Sequence, residues 1–175
     1  MINKLNLIFV TFFGIGKIKK IPGTFASLVT TLLLFFLFHI LKVSPNIILF
    51  AVIIIFLISL YAVNIFIKDL SNKDPKEVVI DEVIGQSIPI YLYEVSHNIP
   101  KDFNDALKFY LIIFILFRFF DITKPFPVNY FDKNFKNSFG VIMDDVIAAL
   151  YVVLILILFM VITTWKNFLK KLLIY

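Results

Sequence analysis

The sequence contains no cysteine, only two histidines and a single arginine among its 17 basic residues. Without cysteine, the chain can form no disulfide, no thiolate nucleophile and no cysteine-ligated zinc site. The histidines, His39 and His97, lie in no paired context, which argues against a histidine-based catalyst or metal site. The Asp-x-Asp pair expected for an aspartyl-phosphate route is also absent. Oxygen ligands and hard-metal chemistry remain.

Charged residues are scarce overall. Hydrophobic residues make up 61% of the 175 positions, and the mean hydropathy is +0.96, well above the level of a soluble domain. Lipid must therefore solvate much of the chain, which we expect to form one unit over residues 1–175 with no separate soluble domain. The net charge is +5, and the basic residues flank apolar runs. This placement is typical of anchoring beside anionic lipid rather than of nucleic-acid binding.

The longest apolar runs predict membrane-spanning helices. Residues 47–67 and 146–165 contain no charge and are long enough to cross a hydrocarbon core of about 30 Å. Residues 25–41 carry only His39 and predict a third span. Two shorter apolar stretches, residues 83–93 and 107–117, are each marginal as an independent span.

The acidic residues are concentrated in two polar segments, residues 68–82 and 118–145. If one site uses both segments, an even number of crossings must separate them. Residues 83–93 and 107–117 are therefore predicted to form an inserted helical hairpin. The predicted fold is all-α, a polytopic membrane helical bundle of three spans plus this hairpin. The lysines near the polar segments predict a cytoplasmic site, although the basic tail from Lys166 onward disagrees with that topology.

The first motif lies in the first polar segment. Asp74 before Pro75, with Glu77 three residues after Asp74, predicts a capped helix start. On such a helix Glu77 and Asp81 share a face, and Glu82 lies 100° round from Asp81. Asp81 and Glu82 lead directly into an apolar run, where ionisable groups are usually functional. We interpret this pair as metal ligands rather than as solvated charges.

The second motif spaces Arg118, Asp121 and Lys124 three residues apart. In a helical or turn-like segment this spacing brings both cations near one carboxylate, which suits a phosphate dianion beside a metal. The alternative is an interfacial anchor with a stabilising ion pair.

The third motif, Asp144 and Asp145, is predicted at the start of the most apolar helix. The helix dipole favours acids there, but the hydrocarbon boundary raises their cost, so metal ligation is the preferred interpretation. Ala148 and Ala149 would let a neighbouring helix approach closely.

The fourth motif comprises Gly14, Gly16, the sequence Pro22-Gly23-Thr24 and Ser27. Backbone N–H groups and hydroxyls at this helix start could hold phosphate, although a turn before a membrane helix would read similarly. Carboxylate ligands favour Mg²⁺, which would polarise a phosphoryl group while one carboxylate orients or deprotonates the attacking water.

In this order the four motifs resemble the phosphatidylglycerophosphatase A family. The matching pieces are Gly14-x-Gly16 with Pro22-Gly23-Thr24 and Ser27, Asp81-Glu82-x-x-Gly85, Phe117-Arg118-x-x-Asp121-x-x-Lys124-Pro125 with Pro127, and Gly140-Val141-x-x-Asp144-Asp145. The sequence departs from the usual pattern at Lys19, Ile21, Ala26 and Asn137-Ser138, but no carboxylate or cation is lost.

The resemblance implies a Mg²⁺-dependent, multi-pass enzyme of the bacterial inner membrane, with its site facing the cytoplasm. The reaction implied is hydrolysis of phosphatidylglycerophosphate to phosphatidylglycerol and phosphate. The catalytic residues implied are Asp81, Glu82, Asp121, Asp144 and Asp145. The metal ligands among them would be Asp81, Glu82, Asp144 and Asp145, and the substrate-binding residues would be Thr24, Ser27, Arg118 and Lys124.

Three other functions compete with this one. A phosphatase of the same architecture could act on another lipid phosphate monoester. A carboxylate-based, ion-coupled transporter would need acids near helix midpoints, whereas these acids lie at the ends of apolar runs. A membrane scaffold gives no reason for five acids beside the spans. The sequence leaves the oligomeric state and the number of metal ions open.

Overall fold

The computed structural model describes residues 4–68, 70, 75–96 and 102–172. In these residues there are seven α-helices and no strand, which confirms the predicted all-α class. The helices are α1 (Lys4–Val10), α2 (Pro22–Phe35), α3 (Pro45–Ile67), α4 (Ile80–Val95), α5 (Phe103–Thr123), α6 (Val128–Asn134) and α7 (Ser138–Leu172). A π-helical turn, Phe36–Ile40, extends α2.

Three helical segments in the described part of the chain are long and apolar enough to cross a membrane: Pro22–Ile40, Pro45–Ile67 and Ser138–Lys166. They contain or closely match the three predicted spans. Large apolar side chains such as Leu57 of α3 and Leu158 of α7 are exposed. Exposing these apolar side chains to water would be unfavourable, so lipid is their natural environment.

Helix α4 lies at the centre of the bundle, packed against α2, α3, α5 and α7. Gly85 permits part of this packing. A Cβ atom at this position would lie 2.8 Å from the ring of Phe117 on α5 and 3.0 Å from the carbonyl oxygen of Asp145 on α7. Ala148 and Ala149 are fully buried, as their small size predicted. Small residues thus bring the acidic start of α4 against α7.

Helices α4 and α5 run antiparallel, as the predicted hairpin requires. Glu82, near the start of α4, lies 3.9 Å from Arg118 near the end of α5. At the opposite end, Tyr93 of α4 stacks on Phe109 of α5 with ring centroids 5.1 Å apart. The connection between them, including His97, lies outside the described residues. The start of α4 and the end of α5 therefore lie at the same end of the bundle.

The predicted start of α4 at Pro75 is wrong, because the helix begins at Ile80. Residues 75–79 form a turn in which the Val79 N–H donates to the Val10 carbonyl of α1 at 3.0 Å. Val79 is also fully buried, so burial and this hydrogen bond hold the segment out of helical geometry.

Glu77 therefore precedes α4 and shares no helical face with Asp81. Asp74, its predicted capping partner, lies outside the described residues.

The start of α7 also differs from the prediction. The helix begins at Ser138, and the side-chain oxygen of Asn137 accepts a hydrogen bond from the Gly140 N–H at 2.9 Å. This cap adds a turn before the acidic pair. Asp144 and Asp145 are consequently the seventh and eighth residues of α7 rather than its first.

Candidate active site

Three carboxylates meet where α4 begins and α7 passes beside it. Asp81, Glu82 and Asp145 each offer one carboxylate oxygen, and these oxygens lie within 4.8 Å of one another. Asp81 and Asp145 are buried, and the Glu82 side chain is 15% exposed. Like charges held this closely in a poorly solvated place repel strongly. The cluster therefore favours occupation by a cation.

The first turn of α2 closes one side of this cluster. A Cβ atom at Gly23 would lie 1.8 Å from Oε1 of Glu82 and 3.4 Å from Nη1 of Arg118. A side chain at position 23 would displace the Glu82 carboxylate from this place. The Ser27 hydroxyl donates to the Gly23 carbonyl at 2.9 Å and accepts a hydrogen bond from Arg118 Nη1 at 3.4 Å. Thr24 lies half-buried in the same turn.

Arg118, the one arginine in the chain, links the carboxylates of α4 and α5. Its Nη1 lies 2.7 Å from Oδ2 of Asp121 and 3.9 Å from Oε1 of Glu82. The predicted proximity of Arg118 and Asp121 is thus confirmed. Nε of Arg118 and Oε2 of Glu82 are buried and have no hydrogen-bond partner among the described residues. The guanidinium retains donor capacity for an anionic ligand.

Lys124 does not approach Asp121 as the spacing predicted. Its backbone adopts a left-handed conformation, with φ 42°, where α5 ends. The side-chain Nζ instead donates to Oδ1 of Asp132 on α6 and to Oδ2 of Asp144 on α7, both at 2.7 Å. The change of chain direction therefore gives Lys124 different partners from those of Arg118.

Asp132 is a residue of this region that the sequence analysis did not select. In the sequence, the only feature that singles it out is that it is the one acid of residues 118–145 besides Asp121, Asp144 and Asp145. Nothing in the spacing indicated that α6 would carry it to Lys124.

The pKa shifts differ between the surroundings of Arg118 and those of Lys124. The pKa of Glu82 is raised to about 7, chiefly by burial and also by the nearby charge of Asp121, while the hydrogen bond with Asp81 and the charge of Arg118 oppose the shift. Burial alone would lower the pKa of Lys124, but Asp144 and Asp132 outweigh it and hold that pKa well above its ordinary value. Lys124 is thus held as a cation between two acids, whereas Arg118 is the one cation described beside Asp81, Glu82, Asp121 and Asp145.

The donor set fits a hard divalent cation. Asp81, Glu82 and Asp145 supply only carboxylate oxygens, and the unpartnered Oε2 of Glu82 adds a further acceptor. Such ligands suit Mg²⁺, which keeps several waters beside a few carboxylates. Asp144, the fourth predicted ligand, places Oδ2 against Lys124 and accepts the Asp145 N–H through Oδ1 at 3.0 Å. The ligand roles of all four stay predictions.

A second polar contact lies at the other end of α2 and α4. Nε2 of His39 lies 3.1 Å from Oε1 of Glu94, and both side chains are mostly buried. The sequence analysis wrongly placed His39 in no paired context, because a contact between residues 55 positions apart leaves no local signal. The ring of Tyr110 packs edge-on against His39 at 5.7 Å.

Comparison with known proteins places the chain among lipid phosphatases. A sequence model described as phosphatidylglycerophosphatase A matches residues 8–160. The chain is 37% identical to phosphatidylglycerophosphatase A of Haemophilus influenzae, over 89% of this chain and 88% of that protein. It is 28% identical to phosphatidylglycerophosphatase A of Escherichia coli, over 78% and 73% respectively.

A Bacteroides thetaiotaomicron protein, named provisionally as a phosphatidylinositol-3-phosphatase, is 33% identical over 84% of this chain and 88% of its own length. No solved structure matches the chain. The family match covers every carboxylate and cation of the cluster described above, from Asp81 to Asp145. This chain belongs to the phosphatidylglycerophosphatase A family.

Proposed function

We propose that this protein is a Mg²⁺-dependent phosphatase that hydrolyses phosphatidylglycerophosphate to phosphatidylglycerol and inorganic phosphate. The observation that carries the proposal is the meeting of Asp81, Glu82 and Asp145 within 4.8 Å, beside the guanidinium of Arg118. Family membership supports the reaction, and the carboxylate chemistry of the cluster supports the metal.

Asp81, Glu82 and Asp145 would hold the ion. When bound, a divalent cation supplies Lewis-acid polarisation of the phosphoryl group and offsets the negative charge of the cluster. The unpartnered Nε of Arg118 would donate a hydrogen bond to a phosphoryl oxygen. Asp121 holds the guanidinium through Nη1 at 2.7 Å. Asp121 thereby positions the cation that meets the substrate.

In the proposed reaction, a water oxygen bonds to phosphorus as the bond between phosphorus and the glycerol oxygen breaks. The water gives up a proton to a carboxylate of the cluster, and the glycerol oxygen leaves as an alcohol after taking up a proton. Lys124 is held as a cation by Asp132 and Asp144, so it contributes charge rather than a transferable proton. The products are phosphatidylglycerol and inorganic phosphate.

We further propose that the site faces the cytoplasm of a bacterial inner membrane. Lys20 before α2 and Lys136 before α7 are exposed near the site end of the bundle, as positive-inside bias favours. Cysteines introduced at Lys20 and Lys136 should both react with a membrane-impermeant thiol reagent only after the cell membrane has been permeabilised. Labelling of either in intact cells would contradict this orientation.

The function is tested with the purified protein in detergent micelles containing phosphatidylglycerophosphate. We expect phosphate release with Mg²⁺ and its loss with EDTA, with recovery when Mg²⁺ is restored. Asp105→Asn is a matched control, because Asp105 forms only an exposed ion pair with Lys108 and should leave release unchanged. No release with Mg²⁺, or equal release after chelation, contradicts the proposal.

One alternative substrate class has support from a relative. The name of the Bacteroides thetaiotaomicron protein refers to phosphatidylinositol 3-phosphate, another lipid phosphate monoester. The same carboxylates and Arg118 would serve either headgroup. Comparing kcat/KM for the two lipids decides between them, and a higher value for the phosphoinositide would replace the proposed substrate.

A further inference from the structure

Several buried polar atoms close to the site lack partners. Oε2 of Glu82, Nε of Arg118 and both amide atoms of Gln86 have no hydrogen-bond partner in the described part of the chain. Gln86 is fully buried. An unpartnered buried amide costs on the order of 1–3 kcal/mol, so such groups usually await a ligand or a water molecule.

Gln86 lies directly inward of Glu82 on α4. The two residues are four positions apart and share a face of the helix. At the level of Glu82, that face meets Gly23 of α2 and Arg118 of α5. A rise of about 1.5 Å per residue puts Gln86 about 6 Å further along the helix from its start. The amide therefore lies about one helical turn deeper in the bundle than the carboxylate cluster.

The buried hydroxyls of α2 do not use this amide. Ser27, Thr30 and Thr31 each donate to a carbonyl of their own helix, at 2.9, 2.8 and 2.8 Å. The buried hydroxyls of α2 are thus satisfied within their own helix, whereas the Gln86 amide of α4 has no partner among the described residues. An amide offers one acceptor oxygen and a donor NH₂ group, so its complement carries both a hydroxyl and an acceptor oxygen.

The proposed substrate presents these groups in the matching order. Its scissile phosphate is the outermost group, and the headgroup glycerol hydroxyl and the phosphodiester lie between it and the acyl chains. If the scissile phosphate lies beside Arg118 at the start of α4, these inner groups lie deeper along the bundle. The axial distance of about 6 Å from Glu82 to Gln86 is comparable with the four bonds that separate the scissile phosphorus from the free hydroxyl oxygen of the headgroup.

We propose that Gln86 is a specificity-determining residue, whose carbonyl accepts the free hydroxyl of the headgroup glycerol and whose NH₂ donates to a phosphodiester oxygen. This inference rests on the proposed function and assigns the part of the substrate that Gln86 binds. Because the amide is enclosed, binding of the headgroup would require the first turn of α2 to move away from Glu82 at Gly23.

The test compares two lipids in detergent micelles with Mg²⁺: phosphatidylglycerophosphate and an analogue whose headgroup is 1,3-propanediol phosphate and so lacks the hydroxyl. We expect the wild type to favour the natural headgroup by about 10-fold or more in kcat/KM, since a site built to bind a hydroxyl rejects its absence. In Gln86→Met, of similar volume, the preference should fall to near one. Ser87→Ala, which alters a neighbouring buried hydroxyl on α4, should keep it.

The thermal midpoint of unfolding separates specificity from a structural role. Gln86→Met removes only unpartnered polar atoms, so we expect no decrease in the midpoint. Gln86→Asn, which keeps the amide but shortens its reach, is the second variant and should also lose the preference. The inference is overturned if both variants keep the wild-type preference, if they lose activity equally on both lipids, or if Gln86→Met lowers the midpoint. Absence of release from both lipids by the wild type would instead remove the proposed function, and this inference with it.

Discussion

The two ends of the α2–α4 interface both contain buried acids, but they differ in how those acids are compensated. At the far end, Glu94 faces one imidazole, that of His39, at 3.1 Å. At the site end, Asp81, Glu82 and Asp145 lie together beside one guanidinium, that of Arg118, whose Nη1 is 3.9 Å from Oε1 of Glu82. A single carboxylate that meets an imidazole can stabilise helix packing by itself. Three acids around a shared point are tolerable only with additional positive charge, which indicates chemistry rather than packing.

The largest effect on turnover is expected from a substitution in the carboxylate cluster at the site end of the interface. Asp145→Asn should lower kcat by about 10³-fold, because a ligand of the proposed ion is lost. The same change removes a repelling charge, so the thermal midpoint in EDTA should stay equal or rise. Phosphate release and unfolding are measured on the same detergent preparation. Near-normal turnover would refute the ligand role, and a large fall in the midpoint would point to a structural one.

A smaller effect is expected at Asp132, which shares Lys124 with Asp144. Asp132→Asn removes one of two charged anchors, so we expect kcat/KM to fall by about 10-fold as Lys124 loses its fixed position. Asp132→Glu keeps the charge and should recover most of the loss. Equal activity in the Asn and Glu variants would show that the anchor does not matter for catalysis.

The smallest effect on turnover is expected at the compensated end. Glu94→Gln keeps a hydrogen-bond acceptor for His39 and lies at the opposite end of α4 from the cluster. We expect kcat to change by less than about 2-fold, with a loss of unfolding free energy of about 1 kcal/mol. Urea-induced unfolding in detergent, together with phosphate release, measures both. A loss of turnover comparable to that of Asp145→Asn would abolish the distinction between the two ends.

The sequence predicts the helices well because hydropathy and length dominate in lipid. The three spans and the antiparallel α4–α5 pair follow from apolar runs and from the need to place both acidic segments together. The start of α4 was missed because a tertiary hydrogen bond from Val79 to Val10 overrides a local Asp-Pro capping pattern. Local signals fix an element's existence more firmly than its ends.

Within the site, the residue types were predictable but their partners were not. Asp144 and Asp145 are neighbours in sequence, yet helical geometry turns them about 100° apart, so that one meets Lys124 and the other the cluster. No periodicity indicates which one faces α4. Asp132 and the contact of His39 with Glu94 depend on how α6 and the end of α2 pack, information that lies in the tertiary structure alone.

The hydrogen atom that replaces a side chain at Gly85 sets the separation between α4 and α7, because a methyl group there would meet both Phe117 and the Asp145 backbone. The close packing of α4 against α5 and α7, rather than a loop, therefore holds the carboxylates of the site together. The exposed apolar positions of α3 and α7, such as Leu57 and Leu158, lie away from this contact, so an exchange among leucine, isoleucine and phenylalanine there should not disturb it. Position 85 has no such freedom.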